Sequence, residues 1–355
     1  MKPAAPPPVR VRAAVERMRA YHPPLEGRDD KIRLDFNENT TGCSPRVLRA
    51  LAELAAADLS MYPEQESVRL EMAKFYRVSA DELLLSNGTD EALHLIANTF
   101  LDAQDAVLLV EPTFAMYRFY SELAGARVQA MRYDEKLEFP MREVLQSLQS
   151  APRVFFLANP NNPPGGVLQK PQLRQILAAG PRTMFVVDEA YFEYSGITVV
   201  PWVRRHRNLI VTRTFSKAAG LAGLRLGCLF AHRDITPHLR KAQSPYPISI
   251  PALVAGKAAL RDRTHLARTL REFRLSRAAL EQGLARLGIR YLPSAANFIL
   301  MDLGAKAKEV VASLARKRIL IRDRSSDFGG RGYVRITVGT LGETRRVLRG
   351  LGKLL

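Results

Sequence analysis

The chain has 355 residues, of which 47% are hydrophobic and 25% charged, and its formal net charge is +18. This length predicts two domains, or one large α/β unit with an appendage, and the composition is typical of a globular rather than a disordered protein. No apolar run approaches the roughly 18 residues that a membrane helix needs, so no membrane partner is expected.

The start of the chain predicts a tail and an arm. Residues 1–9 are rich in Pro and Ala and lack the apolar stretch of a secretory signal, so we expect a disordered tail and no export. Residues 10–20 have the pattern of a short helix, and a connector broken by Pro and Gly follows. We assign residues 1–36 to this N-terminal tail and arm.

From about residue 80, apolar runs alternate with helical patterns. The candidate strands are Leu83–Ser86, Ala106–Val110, Arg127–Met131, Val154–Ala158, Met184–Val187, Leu209–Thr212 and Leu226–Phe230. Candidate helices between them are Glu91–Phe100, Tyr117–Leu123 and Pro171–Ala179. This alternation predicts an α/β fold with a mostly parallel central sheet and helices on both faces. Ligands of such sheets bind beyond the carboxyl ends of the strands.

The pattern changes near residue 245, where three prolines interrupt it. One long helical pattern follows, and then shorter strand and helix segments. We therefore predict a large domain at residues 37–244 and a smaller α/β domain at residues 245–355.

The positive charge is concentrated in this second domain, because residues 241–355 carry 23 of the 53 Lys and Arg but only 8 of the 35 Asp and Glu. Such a domain could attract nucleic acid, an anionic membrane or an anionic metabolite. Apolar residues recur along its long helix at helical spacing, which places several arginines on the opposite, solvated face. The arginines of this segment, of which several lie on that face, are Arg261, Arg263, Arg268, Arg271, Arg274 and Arg277. No zinc finger, basic zipper or RNA-binding aromatic motif accompanies them, so we expect no nucleic-acid partner.

Cysteine and histidine usage argues against structural cross-links and metals. Cys43 and Cys228 are too few for a disulfide framework in a chain of this length. The six His show no spacing typical of zinc ligands, so no metal site is expected. The setting that this composition predicts is a reducing cytoplasm.

Small residues follow the first candidate strand and open a helix. In this segment, Gly88, Thr89 and Asp90 could direct backbone N–H groups toward a phosphate. The alternative is that Thr89 or Asp90 only caps the helix. The segment by itself leaves both interpretations open.

Two further strand ends carry polar groups. The loop Asn159–Gly166 contains three Asn and three Pro, so it is either an elaborate turn or a rigid support for a side-chain amide such as that of Asn162. Asp188 follows an apolar strand and is expected to be partly buried, which requires a partner. A cationic ring nitrogen or a helix N-terminus would serve.

The segment after Leu209–Thr212 combines a lysine with hydroxyls and glycines. A lysine in the position of Lys217 can form a Schiff base once its pKa is lowered. A single lysine is, however, usually a surface charge. Thr214, Ser216 and Arg225 would converge as donors for one phosphate.

In their order and spacing, these residues resemble the fold-type I, pyridoxal-phosphate-dependent aminotransferases, and most closely the histidinol-phosphate aminotransferase family. The resemblance covers nearly the whole chain, from Ile32–Asn39 to Tyr333–Thr340. It implies a homodimer that acts on small molecules and requires pyridoxal 5'-phosphate.

The resemblance also implies roles for individual residues. Lys217 corresponds to the lysine that binds the cofactor and moves a proton at the substrate, and Asp188 to the carboxylate that pairs with the ring nitrogen. Asn162 and Tyr191 would donate to the phenolic oxygen, and Phe114 would lie against the ring. The expected phosphate ligands are Gly88, Thr89, Asp90, Thr214, Ser216 and Arg225, with Tyr62 reaching the phosphate of the neighbouring subunit.

Substrate choice is less determined. Arg335 resembles the arginine that binds the carboxylate of glutamate or the phosphate of histidinol phosphate, and Arg322 would be a second phosphate arginine. Tyr21 and Asn37 would line the entrance. Relatives with the same core act on aromatic amino acids or decarboxylate threonine phosphate, and both activities remain alternatives.

The chain departs from the family pattern at a few positions. Pro164 stands where the family loop usually has Thr, so the local hydrogen bonding must differ. Phe114 replaces a common Tyr and keeps the stacking surface without the hydroxyl. A regulator carrying a DNA-binding module is not expected, since only about 30 residues precede the core, fewer than such a domain needs.

Overall fold

The computed structural model describes residues 9–21 and 24–354. Its strands are β1 Ile32–Arg33, β2 Leu83–Ser86, β3 Ala106–Glu111, β4 Arg127–Arg132, β5 Val154–Ala158, β6 Met184–Asp188, β7 Leu209–Thr214, β8 Gly227–Ala231, β9 Arg290–Tyr291, β10 Phe298–Asp302, β11 Ile319–Leu320, β12 Arg322–Asp323 and β13 Tyr333–Thr337. All seven strands expected between residues 83 and 230 are present, with ends that differ by at most two residues.

Helices connect and cover these strands. They are α1 Ala13–Arg17, α2 Pro45–Ala52, α3 Ala56–Ser60, α4 Glu66–Tyr76, α5 Gly88–Phe100, α6 Ala115–Leu123, α7 Met141–Leu148, α8 Lys170–Ala179, α9 Phe192–Ser195, α10 Thr236–Ala242, α11 Ile250–Arg261, α12 Arg263–Arg286, α13 Ala307–Arg316 and α14 Leu341–Leu351. The helix expected at residues 10–20 is shorter than predicted, because α1 covers only Ala13–Arg17.

The large sheet has the strand order β2-β8-β7-β6-β5-β3-β4. Its neighbours pair in parallel except at β8, which is antiparallel to both β2 and β7. The predicted α/β fold with a mostly parallel central sheet is therefore confirmed.

Both faces of this sheet are buried, and alternate residues of each strand enter different cores. Leu83 and Leu85 pack in one apolar cluster, whereas Leu84 packs in a second. The same alternation holds for Leu108 and Leu109 of β3. Burial of both faces explains why the strands read as continuous apolar runs.

A smaller antiparallel sheet, β12-β13-β10-β9, forms the second part of the molecule, and β1 pairs in parallel with β11 beside it. Its core includes Leu34 from the N-terminal arm, so residues near both ends of the chain pack together. Helix α11 packs instead in a core of the large sheet, through Leu253 and Ala255. The division at residue 245 stays a prediction.

The long helix α12 carries five of the six arginines named from the sequence, and Arg261 ends α11. Arg268, Arg271 and Arg274 are exposed, while Leu280 and Leu284 are buried. In residues 9–21 and 24–354, no helix combines the length and apolar character needed to cross a membrane, and no cluster of three His, Cys, Asp or Glu could hold a metal ion.

Candidate active site

A cavity of about 320 Å³ opens at the carboxyl ends of the central strands. Ala158, Asp188 and Thr214, which end β5, β6 and β7, line it together. The chain thus forms its pocket at the edge where ligands of such sheets bind. The predicted site residues that line this cavity are Tyr21, Asn37, Thr89, Asp90, Phe114, Asn162, Asp188, Tyr191, Thr214, Ser216, Lys217, Arg225, Arg322 and Arg335.

Two predicted residues do not line the cavity. Gly88 begins α5 behind it, with φ +71°. Tyr62 is 78% exposed and its ring stacks on that of Tyr246, with centroids 4.3 Å apart. Its predicted contact with a neighbouring subunit stays a prediction.

Lys217 reaches the cavity from a loop that folds back on itself after β7. The amide of Phe215 donates to the carbonyl of Leu226, and the amide of Gly220 donates to the carbonyl of Lys217. The Lys217 Nζ donates to the backbone carbonyl of Phe36 at 3.0 Å. Burial, with a further contribution from the Arg335 guanidinium, lowers the pKa of Lys217 to about 8. At this pKa about a tenth of the amine is neutral at pH 7, far more than for an ordinary lysine, and the neutral form is a nucleophile and a proton acceptor.

Asp188 is 4% exposed at the end of β6. Its Oδ2 accepts a hydrogen bond from the Tyr117 hydroxyl at 2.8 Å, and its Oδ1 accepts one from the Ala190 amide at 3.1 Å. Burial raises the pKa of Asp188 to about 6 in spite of these donors. A carboxylate in this environment favours a cationic partner.

Two side chains beside Asp188 and Lys217 offer hydrogen-bond donors. The Tyr191 hydroxyl accepts from the Asn37 Nδ2 at 2.8 Å, which leaves its own proton for donation. The Asn162 Oδ1 accepts from the Arg335 Nη1 at 2.5 Å, which leaves its NH₂ group as the donor. Both donors lie in the wall of one cavity.

Hydroxyls and a guanidinium gather where α5 begins. The Thr214 hydroxyl donates to the Ser216 Oγ at 2.8 Å, and the Arg225 Nη2 lies 2.8 Å from the Asp90 carboxylate. The Thr89 Oγ1 is buried and has no hydrogen-bond partner among the described residues. The N-cap of α5 is Asn87, so the alternative that Thr89 or Asp90 merely caps this helix is wrong.

Backbone geometry makes this cluster compact. A Cβ on Gly88 would lie 2.5 Å from the Arg225 Nη2, so the guanidinium crosses directly over the first turn of α5. A Cβ on Gly227 would lie 2.7 Å from the Gly88 carbonyl carbon, because β8 runs beside the start of that helix. Glycine at both positions lets the two segments meet.

Arginines from the smaller sheet form the opposite wall. Arg335 lies on β13 and is 5% exposed, and Arg322 is its register partner on β12. The Arg335 Nη2 donates to the Asp35 carbonyl at 2.5 Å. Burial lowers the pKa of Arg335 to about 10, with help from the neighbouring arginines. This wall therefore favours an anionic ligand.

Among the residues that line the cavity without having been predicted from the sequence are Tyr117, Phe36 and Arg324. Tyr117 holds Asp188, Phe36 accepts from Lys217, and Arg324 adds a third guanidinium. A signal existed for Tyr117, which follows Phe114 by three positions in a helical pattern. Arg324 is two positions from Arg322, the spacing that returns to the same side of an extended strand.

A partly buried lysine and a buried strand-end carboxylate lie between a hydroxyl-lined helix start and a basic wall. This set of groups on a mostly parallel sheet is typical of an aminotransferase. The chain is a member of the aminotransferase class I and II family, whose model matches residues 29–351. It is an enzyme of a pyridoxal-phosphate-dependent family, as the resemblance implied.

Curated relatives cover almost the full chain. It is 38% identical to the histidinol-phosphate aminotransferase of Symbiobacterium thermophilum, over 96% of this chain and 97% of that protein. It is 35% identical to histidinol-phosphate aminotransferase 2 of Pseudomonas aeruginosa, over 91% of this chain and 89% of that protein.

Solved structures share the fold. The histidinol-phosphate aminotransferase of Sinorhizobium meliloti, in complex with pyridoxal-5'-phosphate, superposes with a TM-score of 0.89 at 24% identity, over 97% of both chains. The L-threonine-O-3-phosphate decarboxylase of Porphyromonas gingivalis has a TM-score of 0.80 at 26% identity, over 91% of this chain and 98% of that one.

Proposed function

We propose that the protein is a histidinol-phosphate aminotransferase, which transfers an amino group between glutamate and imidazole acetol phosphate in L-histidine biosynthesis. The observation that carries the proposal is the pairing of Arg322 with Arg335 across one wall of the cavity that Lys217 enters. The cavity therefore combines a lysine that can carry out amine chemistry with a basic wall that suits an anionic substrate group. Full-length relatives of that name support the same substrate.

The residues of the cavity fit pyridoxal 5'-phosphate. The unpartnered Thr89 hydroxyl and the Arg225 guanidinium, which crosses over Gly88, would hold its phosphate. Asp188, whose burial favours a cationic partner, would pair with the ring nitrogen. When bound, this cofactor supplies an electron sink that stabilises negative charge at the substrate's α-carbon.

The side chains around the cofactor have separate tasks in this proposal. Asp188 keeps the ring nitrogen positively charged, and Tyr117 holds Asp188 in place. The Lys217 amine would take the proton from the substrate's α-carbon and return one during the reverse half of the cycle. Tyr191 and Asn162 donate to the phenolic oxygen of the ring.

One pocket must accept glutamate and a phosphorylated amine in turn. The planar guanidinium of Arg335 can donate two parallel hydrogen bonds to a carboxylate or to two oxygens of a phosphate. Arg322 lies beside it, and Tyr21 and Asn37 line the same cavity. Both substrates would therefore place their anionic group at this wall.

We also propose a homodimer in which Tyr62 reaches the cofactor phosphate of the partner subunit. Tyr62 lies among exposed apolar side chains, including Leu59, Met61 and Tyr246. A patch of this kind is typical of a surface that another protein covers. A cytoplasmic location stays a prediction, consistent with Cys43 and Cys228 as free thiols.

The test is a titration of the purified, cofactor-loaded protein, followed by its visible absorbance. We expect L-histidinol phosphate to change the absorbance of the bound cofactor at far lower concentration than L-phenylalanine does. A preference for phenylalanine would instead favour an aromatic aminotransferase and contradict the proposal. Lys217→Ala is the control, since loss of the amine should abolish turnover with every substrate.

A second candidate is a threonine-phosphate decarboxylase, which the likeness to the Porphyromonas gingivalis enzyme favours. That substrate carries both a phosphate and a carboxylate, and a basic wall suits each of them. Release of carbon dioxide from L-threonine phosphate would support this activity. Its absence under conditions in which histidinol phosphate reacts would exclude it.

A further inference from the structure

Arg324 is a third arginine of the basic wall, and it lines the cavity together with Arg322 and Arg335. It follows β12, and its amide donates to the carbonyl of Tyr333 on the neighbouring β13 at 2.8 Å. The side chain is only 17% exposed. A long cationic side chain is rarely buried to this degree unless it has a partner or a ligand.

The turn that follows holds Arg324 in place. The Asp327 carboxylate lies 2.5 Å from the Arg324 Nη2. The Asp323 Oδ1 accepts hydrogen bonds from both the amide and the hydroxyl of Ser325. These bonds close the turn that leads from Arg324 to Asp327. The Arg324 Nε is buried and has no hydrogen-bond partner among residues 9–21 and 24–354. Asp327 therefore fixes one edge of this guanidinium at the cavity wall.

The wall has more positive than negative charge. Asp327 faces three guanidiniums, those of Arg322, Arg324 and Arg335. Two further carboxylates already have cationic partners, because Asp35 forms a buried ion pair with Arg28 at 2.5 Å and Glu38, which lines the cavity, pairs with Arg28 and Arg33. The guanidiniums of Arg324 and Arg322 both lower the pKa of Arg335, so the three positive charges repel one another at this wall. A doubly charged ligand suits this excess better than a singly charged one.

A carboxylate and a phosphate place different demands on such a wall. A carboxylate has two oxygens and one charge, and a single bidentate arginine with one further donor can satisfy it. A phosphate monoester has three terminal oxygens and close to two charges at neutral pH. It therefore needs an additional cationic donor in the same place.

We propose that Arg324 is a specificity-determining residue, whose guanidinium binds the phosphate of the amine substrate at the cavity wall and distinguishes it from the carboxylate of glutamate. This inference rests on the proposed function and extends it. Asp327 is then a positioning residue that holds the guanidinium in the orientation the phosphate requires.

The experiment compares the holoenzyme with its Arg324→Gln variant in single half-reactions with L-histidinol phosphate, L-histidinol and L-glutamate. We expect the apparent dissociation constant for histidinol phosphate to rise roughly 10- to 100-fold, as for loss of a hydrogen bond between charged groups. For histidinol and glutamate we expect a change of less than about threefold, because neither presents a phosphate. A merely structural role would affect all three substrates alike.

Arg331→Gln is the matched control. Arg331 follows in the same segment, is exposed and lies 3.8 Å from Glu135, so its loss removes one positive charge outside the cavity. It should leave all three constants unchanged. Arg324→Lys keeps the charge but loses the planar fork, and we expect the same substrate pattern with a smaller loss.

The outcomes separate this inference from the proposed function. If the wild-type enzyme does not prefer histidinol phosphate to histidinol, the result contradicts both the proposed function and the role of Arg324. Suppose instead that the wild-type enzyme shows that preference. If Arg324→Gln retains it, or loses as much affinity for glutamate as for histidinol phosphate, only the role of Arg324 is overturned. Should the Gln variant fail to fold, the Lys variant decides by the same comparison of substrates.

Discussion

At the scale of single residues, burial acts on the two central ionisable groups in opposite directions. It lowers the pKa of Lys217 to about 8 and raises that of Asp188 to about 6. Each shift reflects the cost of a charge that is removed from water. The lysine becomes a better nucleophile, and the carboxylate favours a cation beside it.

Asp188→Asn is expected to stabilise the cofactor-free protein at pH 7. The buried carboxyl has its pKa raised from 3.8 to about 6, so the folded state binds its proton more tightly than the unfolded state does. Above pH 6 the charged form costs up to about 3 kcal/mol of stability, and this cost disappears as the pH falls toward 4. Urea unfolding of both proteins at several pH values measures the difference.

The exposed Asp29 supplies the control for this experiment through Asp29→Asn. The stability advantage of Asp188→Asn should grow between pH 4 and pH 6 and then level off. A variant less stable than wild type at pH 7, or an advantage that does not change with pH, would contradict the assignment. The same variant should bind the cofactor more weakly, because the partner of the ring nitrogen has lost its charge.

At the scale of elements, the start of α5 and the loop before β8 form one unit. Gly88 adopts φ +71°, and Arg225 adopts φ +54°. The second value is a left-handed backbone in a residue that is not glycine, which costs of order 1 kcal/mol and persists only under tertiary constraint. The position of this guanidinium therefore depends on the packing of β8 beside the helix.

Gly88→Ala is expected to lower both stability and cofactor affinity. A left-handed alanine costs about 1 kcal/mol, and its Cβ would displace the Arg225 guanidinium that lies 2.5 Å away. Urea unfolding reports the first effect, and titration of the apoprotein with cofactor reports the second.

Gly196→Ala separates the two effects. Gly196 has the same φ of +71°, but a Cβ there would meet nothing within 4 Å. It should lose similar stability and keep its cofactor affinity. Equal affinities of the two variants for the cofactor would show that Arg225 is not displaced.

At the scale of the whole molecule, the site lies where distant segments meet. Arg335 of the smaller sheet donates to Asn162, in the loop that follows β5 of the large sheet, and to the Asp35 carbonyl of the arm. The Ala295 amide also donates to the Gly165 carbonyl, which joins the two parts beside the cavity. Movement of one part against the other would therefore change the distance between Arg335 and Lys217.

The proposed exchange of Tyr62 between subunits predicts complementation. Tyr62→Ala and Lys217→Ala should each be impaired as homodimers. Unfolding and refolding a mixture should produce mixed dimers with one intact site, in which Lys217 and Tyr62 come from different chains. With random pairing we expect about a quarter of the wild-type activity.

The contrary result is as informative. If Tyr62 acted within its own chain, each site of the mixed dimer would lack one of the two residues, and mixing would restore nothing. Size-exclusion chromatography of the refolded mixture verifies that dimers have formed.

Local sequence patterns were sufficient to predict the strands of the central sheet and the edge at which its ligands bind. Strands with two buried faces, such as β5 Val154–Ala158, are apolar throughout, and these short apolar runs identified them. Polar residues at strand ends, such as Asp188 and Thr214, could be assigned to one edge because parallel strands share that edge. The resemblance then supplied the order of Lys217 and its neighbours.

Other features depended on contacts that cross the chain. The partner of Asp188 is Tyr117, 71 residues away, and the partner of Arg335 is Asn162, 173 residues away. Helix α11 packs with the large sheet although it follows the break at residue 245. Apolar runs and helical patterns, which burial imposes, determined the elements, and polar residues at the strand ends indicated the edge at which ligands bind. The pairing of Arg324 with Asp327 and the crossing of Arg225 over Gly88 were decided only by tertiary structure, because charge pairing and close backbone approach depend on distances that no local pattern encodes.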